Sequence, residues 1–206
     1  MKKLLVAFIL LFFVSKVYAF ESEYFIVDIP EDYKETIIED TTYKWSKDKK
    51  YIAITLGINT IDKHNIKDFT DEDIRNHKDY LEKNITEGLK EYDIVVDVQR
   101  IEKIKENDKY YLEYDIYYPS KKLYGYDTYQ RSRMFTTNNY ITTIIYSSDK
   151  PITDEAEYKE IFDSLQIKDK EVTKRNYMNS LILMFVLAVI FAIISVIRDN
   201  KKKHKE

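Results

Sequence analysis

The chain has 206 residues, a formal net charge of −3 at pH 7 and no cysteine. The lack of cysteine excludes disulfides, thiolate metal sites and a cysteine nucleophile. Residues 20–175 carry 25 Lys plus Arg and 34 Asp plus Glu. So acidic a segment argues against nucleic acid as a partner, because phosphate contacts require clustered cations.

The first residues have the pattern of a secretory signal peptide. Two lysines precede an apolar run over Leu4–Val14, and Val17–Ala19 places a small residue just before a peptidase cleavage point. We therefore expect a signal peptide over residues 1–19 and a mature chain that begins at Phe20. The alternative is a retained N-terminal anchor, which the shortness of the run and its interruption at Lys16 disfavour.

Three strands are predicted before the first helix. Tyr24–Ile29 alternates apolar and polar residues and is followed by the turn-forming residues Pro30–Asp32. Thr41–Lys47, with Trp45 toward the interior, and Tyr51–Ile58 continue the series. We expect these strands to form a small antiparallel meander.

A helix is predicted to begin after Thr70, which can cap it together with Asp73 three residues later. Apolar residues then recur at three- and four-residue steps as far as Leu89, so one stripe should face a sheet. Gly88 indicates the end of the helix or a late irregularity within it. His77 lies on the stripe, where a packed or rim histidine is more common than a catalytic one.

Four more strands are predicted as two hairpins: Ile94–Lys105 with Lys109–Tyr118, and Tyr126–Thr136 with Tyr140–Ser147. In the second of these strands, aromatic and aliphatic residues alternate with Glu113 and Asp115. We therefore expect one face of that strand to pack and the other to lie in solvent.

The end of the chain combines a last helix with a second membrane signal. The helix should start at Thr153 or Asp154 and run to Leu165, with a short strand over Gln166–Ile167. A charged linker over residues 169–176 then leads to residues 177–197, which are uncharged and long enough to cross a bilayer core of roughly 30 Å. The basic tail over residues 198–206 indicates a cytoplasmic topological stop, and binding of anionic lipid by its lysines is the alternative.

The order of elements is typical of an α+β fold: an antiparallel sheet with helices packed on its faces, an α/β/α sandwich. Tyr24–Tyr33, a strand running into a proline turn, and Tyr158–Ile167, a closing helix and strand, resemble segments of the PsbP/Mog1-like superfamily, which includes exported bacterial domains of the DcrB and LpqN type. The resemblance covers most of residues 20–168 and implies a fold used mainly for binding and assembly support. A C-terminal membrane helix departs from the usual soluble or lipid-anchored members.

Tyrosine is the surplus residue, with 19 in the chain. It gives a large contact area at low entropic cost, so an exposed group of tyrosines can bind a peptide, a glycan or a partner domain. The alternative is that tyrosine simply suits half-buried strands. The candidate binding residues are Tyr117, Tyr124, Tyr126, Tyr129, Arg131 and Arg133, the two arginines being the local cations placed to contact an anionic ligand.

The sequence contains no familiar catalytic motif. Its three His residues do not form a helical metal-binding pair, and it has no glycine-rich phosphate loop and no nucleophile elbow. We therefore expect no metal and no cofactor. Asp71–Asp73 is interpreted as a helix start, and Asp62 with His64 as a solvated loop in preference to a cation site.

These patterns predict a non-enzymatic, membrane-anchored extracytoplasmic module of a bacterial cell envelope that binds a membrane-proximal protein or envelope ligand. The export signal and the spanning segment place the domain outside the cell membrane and the tail in the cytoplasm. The abundance of Ile, Lys, Asn and Tyr is typical of an AT-rich bacterial genome. The alternative is an envelope hydrolase that uses carboxylates, which requires neither Cys nor His.

Overall fold

The computed structural model describes residues 17–39, 41–59, 65–106, 108–137 and 139–168. The strands within these ranges are β1 (Val17–Glu21), β2 (Phe25–Pro30), β3 (Lys34–Glu39), β4 (Thr42–Lys47), β5 (Lys50–Ile58), β6 (Asp97–Glu106), β7 (Lys109–Tyr118), β8 (Thr128–Thr136), β9 (Tyr140–Ser148) and β10 (Gln166–Ile167). The helices are α1 (Asp71–Gly88), α2 (Lys121–Tyr124) and α3 (Ala156–Ser164), with short 3-10 turns at Ile66–Asp68 and Lys90–Tyr92.

The described strands form two antiparallel sheets. The larger has the order β3-β4-β5-β9-β8-β7-β6, and the smaller has the order β1-β2-β10. The register of the large sheet places Tyr146 of β9 opposite Ile52 on one side and Arg131 on the other. Because side chains alternate between the faces of a strand, this register decides which residues share a covered face.

Each face of the large sheet has its own hydrophobic core. On one face, Leu81 and Ile85 of α1 pack against Leu112, Tyr114 and their neighbours. On the other face, β2 and α3 cover a second core centred on Trp45, which is fully buried. The predicted α+β class and antiparallel sheet are confirmed, but the second covering layer contains the small sheet beside α3, so it is not made of helices alone.

The predicted opening meander is wrong, because β2 leaves the large sheet. Phe25, Val27 and Ile29 point into the second core, and β2 pairs with β1 and β10. Its place next to β4 is taken by β3, a strand that was not predicted from the sequence. Alternation of apolar residues shows that a strand has one buried face, but it does not show whether that strand pairs with a neighbour or packs on top of it.

The start of α1 forms as predicted. The Asp73 backbone N–H donates to Thr70 Oγ1 (3.2 Å), and the Thr70 N–H donates to Asp73 Oδ2 (2.8 Å), which completes a capping box. At the other end the helix closes at Gly88, as predicted. The Val96 N–H then donates to Thr86 Oγ1 of α1 (3.1 Å), so the chain packs against the helix before β6 begins three residues later than predicted.

The described ranges contain no helix long and apolar enough to cross a membrane. Residues 1–16 of the predicted signal peptide and the predicted linker (169–176), spanning segment (177–197) and tail (198–206) lie outside the described residues, as do Asp62 and His64. The expected mature start at Phe20 falls within β1, where its ring packs 4.9 Å from the ring of Trp45.

Candidate binding site

The six candidate residues divide between two places. One face of β8 carries Tyr129, Arg131 and Arg133, at every second position of the strand. Tyr117 lies opposite Tyr129 on β7, and the two ring centroids are 5.1 Å apart. Tyr124 and Tyr126 lie instead in the connection between β7 and β8, at the end of the sheet. A single surface containing all six residues is therefore not formed.

Arg131 holds α3 on the sheet. Its Nε and Nη2 donate to the two carboxylate oxygens of Asp115 at 2.6 and 2.7 Å, and its Nη1 donates to the Tyr158 hydroxyl of α3 at 2.5 Å. The guanidinium group also lies over the Tyr158 ring, 4.8 Å from its centroid. The bidentate bond to Asp115 raises the pKa of Arg131 further above its usual range, so this cation is engaged within the domain.

Arg133 makes a second connection between the sheet and α3. It donates to Glu113 Oε2 from Nη2 (3.0 Å) and to Asp163 of α3 from Nη1 (2.8 Å), with the Tyr111 ring 4.1 Å away. Arg100 donates to the other Glu113 oxygen at 2.6 Å. Glu113 was expected to lie in solvent, and that expectation is wrong because α3 and the arginines enclose its carboxylate, leaving the residue 5% exposed.

The connection that carries Tyr124 and Tyr126 has a defined local structure. The short helix α2 ends at Gly125, whose φ of +78° is a left-handed conformation that glycine adopts without steric cost. The Ser120 hydroxyl donates to the Tyr126 carbonyl (3.1 Å), and the Lys121 N–H donates to Asp127 Oδ1 (3.1 Å). These bonds fix the conformation of the connection, and with it the positions of Tyr124 and Tyr126 at the end of the sheet.

Tyr124 and Tyr126 line a cleft with a cavity of about 60 Å³. Their ring centroids are 6.2 Å apart, and Lys49 Nζ lies 4.9 Å above the Tyr126 ring. The walls come from four separated parts of the chain: Ser46, Asp48, Lys49, Lys50, Tyr51, Ile94, Tyr118, Ser120, Tyr124, Tyr126, Thr128 and Ser147. We call this site the tyrosine cleft.

The cleft combines aromatic walls with hydrogen-bond donors. The Tyr124 hydroxyl is buried and has no hydrogen-bond partner among the described residues. Burial raises the pKa of Tyr51 to about 12 and that of Tyr124 further, so both phenols are protonated at neutral pH and can donate. A buried donor without a partner carries a desolvation cost of about 1–3 kcal/mol, which a bound acceptor would remove.

The volume of the cleft limits what can enter it. At about 60 Å³ the cavity is several times smaller than the sites for whole drug-sized ligands, which enclose about 300–1,000 Å³. The cleft therefore suits one side chain or one small polar group of a larger ligand. Of the described residues that line it, Asp48 alone has a carboxyl group, so this cleft does not offer a facing pair of carboxylates.

The tyrosine cleft and the end of the described chain lie at opposite ends of the large sheet. Ser147, near the end of β9, lines the cleft. Tyr140, at the start of β9, has its ring 5.6 Å from that of Tyr24, and the Tyr24 carbonyl accepts a hydrogen bond from the Lys168 N–H (2.7 Å). Seven residues of antiparallel strand separate these positions by about 23 Å.

His77 is half-buried on α1, with its Nε2 enclosed, as a packed or rim histidine would be. Its Nε2 has no hydrogen-bond partner among the described residues, and burial lowers its pKa to about 4, which keeps the ring neutral at pH 7. The described ranges contain no cluster of three or more His, Cys, Asp or Glu that could hold a metal ion.

Comparisons with known proteins extend these observations at the level of the fold. Neither a protein-family model nor a curated protein matches the chain. Among solved structures, the solution structure of cyanobacterial PsbP (CyanoP) from Synechocystis has a TM-score of 0.58 and 10% sequence identity, and the match covers 75% of this chain and 94% of that one. The chain therefore has a PsbP-like fold, and the resemblance noted in the sequence is confirmed.

Two further structures are less similar. A crystal structure from Bacteroides thetaiotaomicron has a TM-score of 0.45 at 14% identity, covering 76% of this chain and 49% of that one. A protein of unknown function from Pseudomonas aeruginosa, described as a putative regulator, has a TM-score of 0.38 at 9% identity, covering 71% of this chain and 91% of that one.

Proposed function

We propose that this chain is a membrane-anchored extracytoplasmic binding module of a bacterial cell envelope, and that the tyrosine cleft is its recognition site. The observation that carries the proposal is the position of the cleft, at the end of the domain opposite Lys168. A chain that continues from Lys168 into a spanning segment at residues 177–197 holds the cleft away from the bilayer, where a ligand or partner can reach it.

The short connection to the predicted span keeps that partner near the membrane. Residues 169–176 can bridge no more than about 28 Å when fully extended. Adding the length of β9, about 23 Å, places the cleft within roughly 50 Å of the bilayer surface. The partner is therefore another envelope protein or a ligand held close to the membrane.

The chemistry of the cleft indicates how such a partner is recognised. Tyr118, Tyr124 and Tyr126 offer ring faces and edges, and the buried Tyr124 hydroxyl offers a donor that lacks an acceptor within the described residues. We infer that a partner inserts one apolar or aromatic side chain carrying a hydrogen-bond acceptor. The remaining contacts come from the rim, where Lys49 and Lys50 lie beside Asp48.

The proposal predicts different effects for two matched pairs of tyrosines. Affinity purification from detergent-solubilised membranes should recover a specific partner or envelope ligand with the intact protein. Tyr124→Ala/Tyr126→Ala should lose it, and Tyr117→Ala/Tyr129→Ala, on a face away from the cleft, should retain it. Equal recovery by both double variants would contradict the assignment of the cleft, provided that both retain the circular dichroism spectrum of the intact protein.

A further inference from the structure

We propose that the end of the domain from which Lys168 departs binds the surface of an anionic lipid bilayer. This inference rests on the proposed membrane anchor and adds the surface that meets the lipid. An open depression of about 560 Å³ lies at this end of the sheet, between the β6–β7 turn, the β8–β9 turn and the closing strand β10. Its lining includes Lys67, Lys105, Lys109, Leu165 and Ile167. We call this surface the exit face.

The exit face carries cations on a domain that is otherwise acidic. Lys67 and Lys109 are exposed, and the Lys105 side chain is 55% exposed. The carboxylate that lines the depression is Asp108, 3.4 Å from Lys105 and almost fully in solvent, where screening weakens the pair. Three lysines against one aspartate give this surface a positive charge, in contrast to the acidic excess of residues 20–175.

The path of the chain brings this surface to the membrane. Ile167 lines the depression, and Lys168 is fixed beside it through its backbone bond to the Tyr24 carbonyl. The eight residues 169–176 span at most about 28 Å before the predicted membrane segment, so the exit face is the part of the domain nearest the headgroups. An anionic leaflet attracts these lysines and repels the acidic remainder, which favours one orientation of the domain.

Direct contact can be measured with lipids that quench a fluorophore. The chain has no cysteine, so one can be placed at the neutral, exposed Gln166 of β10 and another at the exposed Lys122 beside the cleft. The full-length protein is reconstituted in vesicles of phosphatidylcholine alone or with phosphatidylglycerol, each containing a headgroup-quenching lipid. We expect the label at position 166 to be quenched more in anionic vesicles, and the label at position 122 to remain unquenched.

Charge reversal then tests the lysines themselves. Each lysine at an anionic surface contributes about a fivefold change in equilibrium constant, so Lys67→Glu/Lys105→Glu/Lys109→Glu should lower the ratio of docked to undocked domain at least about 100-fold. Lys121→Glu/Lys122→Glu, at the other end of the domain, is the matched control and should leave the quenching at position 166 unchanged. Raising the salt concentration should reproduce the effect of the triple variant.

The outcomes separate this inference from the anchor on which it rests. Flotation with vesicles after a carbonate wash reports insertion of the chain, and its loss would overturn the anchor and the docking together. Retained flotation with equal quenching in neutral and anionic vesicles would leave the anchor intact and overturn the exit face as a lipid-binding surface. Full quenching in the triple variant would overturn it as well.

Discussion

The assignment of Arg133 to the interior can be tested by Arg133→Met, which keeps much of the side-chain volume and removes the charge. The variant removes the Arg133 guanidinium 3.0 Å from the Glu113 carboxylate, in a residue only 5% exposed. It also removes the contact of Arg133 with Asp163 at 2.8 Å, although Asp163 keeps Lys159 at 2.7 Å. Breaking a buried ion pair costs about 3–5 kcal/mol. Because Arg100 still donates to Glu113 at 2.6 Å, we expect the lower end, about 3 kcal/mol of unfolding free energy.

Urea denaturation in mild detergent, followed by the emission of Trp45, measures this change. Trp45 is the single tryptophan and lies fully buried in the core that α3 covers, so it reports the affected region. Arg75→Met on the exposed side of α1 is the control, and we expect it to change stability by less than about 0.5 kcal/mol. Glu113→Gln/Arg133→Met should be less destabilised than Arg133→Met, because it leaves no uncompensated buried carboxylate at position 113. A loss below about 1 kcal/mol in Arg133→Met would refute an interior role for this residue.

Two further variants test other parts of the account. Burial lowers the pKa of His77 to about 4 from an ordinary value near 6.5, so between these pH values the unfolded chain binds a proton that the folded chain does not. The free energy of unfolding should therefore fall by about 3 kcal/mol as the pH drops from 6.5 to 4. Urea titrations across this range should show that this contribution is absent in His77→Leu. Gly125→Ala forces a side chain into a left-handed conformation without any steric contact to neighbouring atoms, at a cost of about 1–2 kcal/mol. Calorimetry should therefore show a melting temperature about 2–8 °C lower, and Gly125→Asn should lose less.

The main elements of the domain follow from local patterns in the sequence. Thr70 with Asp73 predicts the start of α1, and the apolar stripe to Leu89 predicts the face that it buries. These signals are local, so they do not depend on how the sheet is ordered. The division into two sheets could not be predicted in the same way, because the alternation in β2 is the same whether it pairs with β4 or packs across it.

The candidate site could also be predicted only in part, because it depends on contacts between distant parts of the chain. Tyr124 and Tyr126 were singled out from the sequence, but Tyr51 and Ser147 join them only because β5 and β9 are neighbours in the large sheet. Glu113 and Asp115 were expected in solvent because charged residues alternate with apolar ones. The burial of Glu113 and the partial burial of Asp115 depend on arginines from β6 and β8 and on α3. A strand pattern contains no information about such partners.

The central claim is that the tyrosine cleft receives a ligand or partner in the envelope, and photo-cross-linking in intact cells tests it most directly. The photoreactive residue p-benzoylphenylalanine is introduced at position 126, in the wall of the cleft, or at position 129, on the other face of the sheet. Mass spectrometry of the irradiated full-length protein should find a defined adduct from position 126 and none from position 129. An adduct from position 129 alone, or none from either position, would contradict the account.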